Sequence, residues 1–262
     1  MDITALVERL DSAYYQTFTK EIQTSWGYLY INEDQPTYYD ANHAYIRLVP
    51  SEPDKIITKV IHFYQSKHLI PRFYIYNVEQ QTKLISALKE RGFGYEELVH
   101  PVQLWNGSLS LGRNDPRITI ELVTDDNFQE AMNIECSIKE FGGQGVREKA
   151  FKAEYEHPAF TYYLLRLNGV ACSTACFFIE GNHARLESVA TLKEFRGQGL
   201  IGQLIYFLQH EVKKRNIEYF WVFPITEQVE KVYSHYGFQT LDTLRAGHAF
   251  LGGKSVQEIR ES

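Results

Sequence analysis

The chain has 262 residues, longer than most single domains, and this length predicts two domains of about 100 to 150 residues each. Hydrophobic residues at 44% and charged residues at 23% are typical of a globular protein and exclude a disordered chain. The net charge is −6, and no basic run is longer than Lys213-Lys214-Arg215, which argues against nucleic acid as a partner.

The targeting and redox signals favour a cytoplasmic protein. Residues 1–8 open an amphipathic helix and lack the basic and apolar parts of a signal peptide. No apolar run reaches the roughly 18 residues of a membrane span, so we expect no membrane partner. Cys136, Cys172 and Cys176 form no even disulfide framework, and we expect Cys172 and Cys176 to pack in the core rather than to bind a metal.

The first half predicts one α/β unit. A helix at 55–67 precedes a strand at 70–76, and a second helix at 79–91 ends at Gly92-Phe93. A glycine just past a helix supplies the left-handed residue of a C-terminal cap, and the Phe then turns into the core.

The segment 106–116 is rich in turn residues and predicts a linker, so we expect domains at 1–112 and 113–262. The second half then predicts a strand at 117–123, a helix at 125–140, strands at 160–168, 170–180 and 183–191, a helix at 200–215, a strand at 217–223, a helix at 226–236, and closing strands near 238–251. We expect 136–160 to be a loop that lines a pocket.

The two halves repeat the same order of strand, helix, Gly-Phe and strand, with Gly237-Phe238 matching Gly92-Phe93. The turns Leu167-Asn168-Gly169 and 180–183 predict hairpins between the middle strands. The predicted fold class is α/β (α+β), in which each half is a mixed, mainly antiparallel sheet flanked by helices.

The most informative segment opens the helix at 200–215. Gly197 and Gly199 lack side chains where backbone must approach a ligand, and amides at a helix start favour a pyrophosphate. A plain tight turn is one alternative. A dinucleotide fingerprint, with Gly202 as the third glycine, is another, but 193–196 separates the glycines from the preceding strand.

Arg196-Gly197-Gln198-Gly199 resembles the R/Q-x-x-G-x-G/A hallmark of the GNAT superfamily of acyl-CoA N-acyltransferases. The sixth position is Ile201 instead of Gly or Ala, and Gly202 follows it. The resemblance implies acetyl-CoA as co-substrate and no metal. The cofactor-binding residues that it implies are Val189, Ala190, Thr191, Arg196, Gly197, Gln198, Gly199, Leu200, Ile201, Gly202 and Thr226.

The other matches follow in the family's order and cover most of 117–251. The strand end 189–191 resembles the site whose amides bind the pantetheine arm. Tyr233 falls on the family's Tyr four residues before the Gly of Gly-Phe, and Thr226 stands where the family's helix usually begins with Asn.

Tyr233 and Glu187 are the predicted catalytic residues. Glu187 is two and four residues from Val189 and Thr191, so we expect it on their face as the base for the amine, although a solvated strand Glu is equally compatible. Tyr233 is expected to protonate the leaving thiolate, and the alternative is a core aromatic. A free amide near Ala190 or Thr191 would stabilise the oxyanion.

Two histidines near these residues, His183 and His235, are expected at the surface. Glu154, Glu156 and His157 precede a strand and could face the acceptor, which spacing does not decide.

The first half lacks the equivalent chemistry. Leu88 stands at the position of Tyr233, and 49–54 holds two prolines and two acids where an anion-binding loop would lie. This half resembles a degenerate GNAT copy in a tandem protein. A polar-aromatic stretch either shapes an acceptor pocket or belongs to core and loop; it comprises Trp26, Tyr38, Tyr39, Asn42 and His43.

The sequence therefore predicts an N-acetyltransferase that moves an acetyl group from acetyl-CoA to a primary amine, of a small molecule or a protein, by direct attack in a ternary complex. A non-catalytic acyl-CoA-binding or sensing protein is the alternative. A toxin-like or antibiotic-modifying transferase would share the chemistry and differ in acceptor. A homodimer is one assembly compatible with the sequence.

Overall fold

A computed structural model describes residues 2–109 and 115–261. The predicted boundary between residues 112 and 113 lies outside them. The chain forms two compact units: the C-terminal unit is Pro101–Thr243 with the chain start up to Leu6, and the N-terminal unit is Val7–His100 with the chain from Leu244 onward. These units differ at both chain ends from the domains predicted at 1–112 and 113–262. The division into those two domains stays a prediction.

The described residues contain both helices and strands. The first part contains α1 (Ile3–Gln16), β1 (Lys20–Gln23), β2 (Gly27–Ile31), β3 (His43–Ile46), α2 (Pro53–Gln65), β4 (Arg72–Ile75), α3 (Thr82–Glu90) and β5 (Gly94–Trp105). The second part contains β6 (Ile118–Leu122), α4 (Phe128–Cys136), α5 (Gln144–Glu156), β7 (Phe160–Leu167), β8 (Val170–Glu180), β9 (His183–Thr191), α6 (Leu200–Lys214), β10 (Tyr219–Val222), α7 (Glu227–His235), β11 (Phe238–Phe250) and α8 (Val256–Glu261).

The N-terminal unit holds a mixed sheet in the order β1-β2-β3-β4-β11, in which β3 and β4 are parallel and the other pairs antiparallel. Each strand alternates between two faces, so one face can be wholly apolar. That face packs against α2 and α3 through residues such as Ile57 and Leu88.

The C-terminal unit holds a mixed sheet in the order β5-β10-β9-β8-β7-β6. Among the described residues, β9 and β10 pair in parallel and the other neighbouring strands pair antiparallel. Helix α6 buries its apolar side on one face through Leu204, Ile205 and Leu208. Helices α4 and α5 contact β7, β8 and β9 and bond side chains of the opposite face. The predicted fold class is confirmed.

The turn chemistry expected from sequence is also confirmed. Asn168 and Gly169 both have positive φ, 50° and 80°, between β7 and β8, and Gly181 has φ 58° between β8 and β9. Gly92 and Gly237, with φ 81° and 83°, follow α3 and α7 as left-handed caps.

One expected loop is a helix. Residues 136–160 contain α5, whose buried residues Arg147, Ala150, Phe151 and Glu154 have helical spacing. The loop prediction was wrong because two of these four are charged, so the apolar periodicity that reveals a helix is absent. Of the helices described, none combines the length and the apolar character that crossing a bilayer requires.

Candidate functional site

The open end of β9 is the first feature of the site. The parallel pairing of β9 with β10 runs from Tyr219 opposite His183 to Val222 opposite Leu186, where β10 ends. Strand β9 continues through residues 187–191, which therefore extend beyond the edge that β10 pairs. Within this stretch, residues 189–191 are the strand end whose backbone amides the family resemblance implies as binding the pantetheine arm.

A β-bulge reshapes the same stretch. On β8, Thr174 lies opposite Ala190 and Cys176 lies opposite Glu187, so two residues of β9 oppose one of β8. One of the two, Ser188, has φ 49°, a strained value for a residue other than glycine. A bulge interrupts the ladder and re-aims the backbone locally.

The bulge overturns the expected face of Glu187. Residues opposite each other in a ladder share a face, so Glu187 and Ala190 lie on the face of Thr174 and Cys176. Val189 instead packs with the core under α6. The expectation that Glu187 shares a face with Val189 and Thr191 was wrong, because the extra residue reverses the alternation between them.

Side-chain hydrogen bonds from Ser173 and Arg196 hold the end of β9 in place. The Ser173 hydroxyl donates to the Ala190 carbonyl at 2.6 Å, and it lies 2.7 Å from the Thr191 hydroxyl. The Arg196 Nε donates to the Thr191 carbonyl at 3.0 Å. The side chain of Arg196 therefore ties the following loop back to the strand.

The glycine loop is open to a ligand. Gly197 and Gly199 have φ 76° and 74°, and a Cβ added at either would meet no atom within 4 Å. Residues 196–199 are exposed, and α6 begins at Leu200. The loop thus presents backbone at a helix N-terminus, an arrangement suited to phosphate oxygens.

Three predicted cofactor-binding residues also contribute to the fold, by packing or by capping a helix. A Cβ at Gly202 would lie 2.2 Å from the Tyr236 hydroxyl, so this glycine lets α6 and Tyr236 approach. Leu200 is buried in the core of the unit. Thr226 caps α7, and its hydroxyl accepts the Val229 amide at 3.2 Å.

Tyr233 lies on α7 with its ring against Phe238, at 5.7 Å between centroids in an edge-on arrangement. Its side chain is buried, and burial first, then the charge of Glu187, raises the pKa of its hydroxyl. The two predicted catalytic residues are therefore close enough to interact electrostatically. Glu187 itself forms an ion pair with Arg185.

A buried polar network, which sequence reasoning missed, touches the bulge. We call it the Arg147 network; its members are Arg147, Glu135, Glu154, Tyr162, Thr174 and Ser188. Arg147 donates to Glu135 at 3.0 Å, to Glu154 at 2.7 Å and to the Ser188 hydroxyl at 3.3 Å.

The remaining bonds close the network. The Tyr162 hydroxyl accepts from Arg147 at 2.7 Å and donates to Glu154, and Thr174 donates to Glu135 at 2.6 Å. Burial raises the pKa of Glu135 to about 7, while Arg147 and the Thr174 hydrogen bond oppose the rise. The sequence did offer one signal: Arg147 and Glu154 are seven residues apart, about two turns, so in a helix they lie on the same face.

The two histidines near the site differ in exposure. His235 is exposed, as expected. His183 is buried and accepts a hydrogen bond from Trp221 Nε1 at 2.9 Å, so its expected surface position was wrong. The partner is an indole on the neighbouring strand, which the hairpin position of His183 does not reveal. Cys172 and Cys176 are buried, as expected.

In the described part of the chain, His, Cys, Asp and Glu side chains form no group of three or more that could hold a metal ion.

In the N-terminal unit, Leu88 is fully buried, and Pro53 and Asp54 open α2. Of its polar-aromatic stretch, Trp26 joins the core and Asn42 pins a loop through the Gln35 carbonyl at 2.9 Å.

Fold and glycine loop together describe the C-terminal unit as an α/β domain in which an exposed glycine loop precedes the N-terminus of a helix. Residues 128–238 match the acetyltransferase (GNAT) family, and the chain thus carries a GNAT domain. None of the curated proteins compared with the chain matches it.

Solved structures share the fold across both units. A GCN5-related N-acetyltransferase from Kribbella flavida is 19% identical with a TM-score of 0.68 and covers 95% of this chain and 97% of its own. A functionally unknown conserved protein from Staphylococcus epidermidis is 14% identical with a TM-score of 0.70, over 88% of this chain and 93% of its own. A GCN5-related N-acetyltransferase-like protein from Streptococcus suis is 15% identical with a TM-score of 0.54, over 85% of this chain and 82% of its own.

Proposed function

We propose that the C-terminal unit transfers an acetyl group from acetyl-CoA to the primary amine of a small molecule or a protein. The observation that carries the proposal is the meeting of the open end of β9 with the exposed glycine loop, tied together by the bond from Arg196 to Thr191. A family match at 128–238 supports the same chemistry.

The loop fits the pyrophosphate of the co-substrate. The amides of Gly202 and Gln203 bond the Gly199 carbonyl at 3.1 and 3.4 Å, within the first turn of α6. The amides of Leu200 and Ile201 precede any intrahelical partner and are the donors we assign to phosphate oxygens. Ile201 offers its amide irrespective of its side chain, so its departure from the family pattern leaves this contact intact.

The bulged end of β9 fits the extended arm of the co-substrate. Residues 189–191 lie beyond the pairing with β10, and their backbone can add hydrogen bonds to an extended amide chain as a neighbouring strand would. We assign the oxyanion donor to an amide of Ala190 or Thr191, because this stretch of β9 extends beyond its pairing with β10 and keeps one backbone edge clear of that strand.

Acetyl-CoA supplies a thioester, and the chain supplies proton transfers around it. A tyrosine hydroxyl is protonated at neutral pH even at its ordinary pKa of about 10, so Tyr233 carries the proton that we assign to the departing thiolate. Glu187, which forms an ion pair with Arg185, can accept a proton from the acceptor ammonium directly or through water.

The test is thiol release from acetyl-CoA over a panel of amines, with Tyr233→Phe compared with Tyr155→Phe. Tyr155 is a partly exposed tyrosine of the same unit that bonds Asp125 at 2.7 Å. The proposal expects Tyr233→Phe to lower kcat while binding of CoA is kept, and Tyr155→Phe to keep both. A non-catalytic acyl-CoA-binding protein would bind CoA and release no thiol in wild type.

We further propose that the N-terminal half is a degenerate GNAT copy without a CoA site. Supporting this, buried Leu88 replaces the tyrosine, and α2 begins with Pro53 and Asp54 in place of a glycine loop. We also propose a cytoplasmic location, for which the three free cysteines are the support.

A further inference from the structure

The β-bulge of β9 has a strained residue at its centre. Ser188 has φ 49° and is one of the two residues of β9 that oppose a single residue of β8. A residue other than glycine keeps such a conformation only where its surroundings hold it. The ladder itself gives little support, because the register between β8 and β9 shifts at this point. The side chains around the bulge are therefore the place to look for the support.

One carboxylate connects both strands of the bulge. Glu135, on α4, is 0% exposed. Its Oε1 accepts from the Thr174 hydroxyl on β8 at 2.6 Å, and its Oε2 accepts from Arg147 Nε at 3.0 Å. The Nη2 of Arg147 reaches the Ser188 hydroxyl on β9 at 3.3 Å, the longest of its contacts in the network. Both oxygens of Glu135 thus lead to the bulge, one directly and one through Arg147.

The other contacts of Arg147 fix its orientation. Its Nη1 and Nη2 donate to the two oxygens of Glu154 at 3.2 and 2.7 Å, and Nη2 also donates to the Tyr162 hydroxyl at 2.7 Å. A bidentate pair of this kind fixes the plane of the guanidinium. Arg147 is therefore held with Nη2 at Ser188 and Nε at Glu135.

Support of the fold alone does not require this chemistry. Buried charges are costly to desolvate, and replacing a buried ion pair by well-packed apolar residues is often neutral or stabilising. Burial raises the pKa of Glu135 to about 7, which shows the cost at this position. A satisfied polar network adds direction, because each bond fixes one partner at one distance. The residue whose face depends on this bulge is Glu187, which directly precedes Ser188.

We infer that Glu135 is a positioning residue for the acetyl transfer. By holding Thr174 directly and Ser188 through Arg147, it keeps the bulge in one register. Glu187 then stays on the face of Thr174, where we assign it to the acceptor amine. The inference rests on the proposed function, in which Glu187 is the base, and Glu135 acts through its partners without transferring a proton.

Kinetics of Thr174→Val test the inference. This change removes the donor to Glu135 with little change in size and leaves the ion pair with Arg147 in place. Thiol release from acetyl-CoA is measured with propylamine or a lysine-containing peptide as the acceptor. We expect kcat to fall about tenfold or more, because small misplacements of reacting groups have effects of this size. Binding of CoA in calorimetry should be kept, since the loop 196–199 lies outside the network.

Two matched variants separate positioning from a loss of fold. Thr174→Ser keeps the hydroxyl and should keep kcat. Thr161→Val makes the same change on β7, where the hydroxyl accepts from Arg215 at 3.2 Å outside the network, and should also keep kcat. Unchanged kcat in folded Thr174→Val, or equal losses in Thr174→Val and Thr174→Ser, would overturn the inference. If Thr174→Val does not fold, Ser188→Ala removes the acceptor on β9, and an undiminished kcat in that variant would overturn it.

Amide hydrogen exchange reads the bulge itself without any substrate. Thr174→Val is expected to speed exchange at 187–191, and Thr161→Val is expected to leave it unchanged. Unchanged exchange at 187–191 in folded Thr174→Val would contradict the hold on the bulge and overturn the inference. A wild type that binds CoA but releases no thiol would instead sink the proposed function, and the hold of Glu135 on the bulge would then be decided by exchange alone.

Discussion

Removing the central cation of the Arg147 network has a large predicted effect on stability. Arg147→Met keeps much of the side-chain length but leaves Glu135 and Glu154 without their cation, at side-chain exposures of 0% and 2%. Removing one partner of a buried pair costs about 3–5 kcal/mol. At about 2–4 °C for each kcal/mol in a protein of this size, the melting temperature should fall by about 6–20 °C.

A matched surface network supplies the control. Arg166 also bonds two carboxylates, Glu121 at 2.8 Å and Glu130 at 2.5 Å, but the exposures of its own side chain and that of Glu130 are 19% and 47%. Exposed pairs contribute about 0–1 kcal/mol, so Arg166→Met should cost far less. Urea unfolding followed by tryptophan fluorescence measures both variants against wild type.

The pH dependence separates lost charge compensation from lost packing. The folded pKa of Glu135, about 7, exceeds its ordinary 4.5, so its contribution to stability is present below about pH 4.5 and is lost as the pH rises through 7. Arg147→Met removes a group that opposes this rise. Its deficit should therefore be small at pH 5 and large at pH 8; equal deficits at both, or equal costs for the two Met variants, would refute this reasoning.

Three further changes test individual contacts. Gly202→Ala places a Cβ 2.2 Å from the Tyr236 hydroxyl and should cost about 1–3 kcal/mol in urea unfolding, with partial recovery when Tyr236→Ala is added and no recovery if the clash is not the cause. Thr226→Ala removes the acceptor of the Val229 amide and should cost about 1 kcal/mol, whereas Thr226→Ser should cost little; equal losses would contradict capping. Glu187→Gln should remove the acidic limb of the pH profile of kcat/KM, and an unchanged profile would exclude Glu187 as the base.

Local chemistry explains which parts of the fold sequence predicts well. Asn168-Gly169 requires two left-handed residues and fixes the hairpin between β7 and β8. The apolar period of α6 and the caps at Gly92 and Gly237 are equally local. Such signals depend on a few neighbouring residues, so they survive without knowledge of the rest of the molecule.

What sequence did not show depends on partners distant along the chain. The face of Glu187 changes because a bulge at Ser188 inserts one residue, and nothing in the β9 sequence alone marks it. The helix α5 was missed because Arg147 and Glu154 occupy its buried side, where each compensates the other. His183 is buried by a partner 38 residues away, Trp221.

The N-terminal unit shows the same limit. The stretch around His43 was open to a pocket, core or loop interpretation, because its meaning lies in the register of β3 against β2 and β4. The return of Leu244 and later residues to this unit is likewise invisible in local patterns.

The central claim is an acyl-CoA site at the glycine loop, and calorimetry with acetyl-CoA on three proteins tests it most directly. Gly199→Glu puts a carboxylate at the proposed phosphate position, while Gly169→Glu makes the same change at a hairpin glycine with a similar φ, 80° against 74°. Both therefore carry similar backbone strain and the same added charge. We predict micromolar binding by wild type and by Gly169→Glu, and none by Gly199→Glu. Absence of binding by folded wild type, or equal binding by the two variants, would contradict the account.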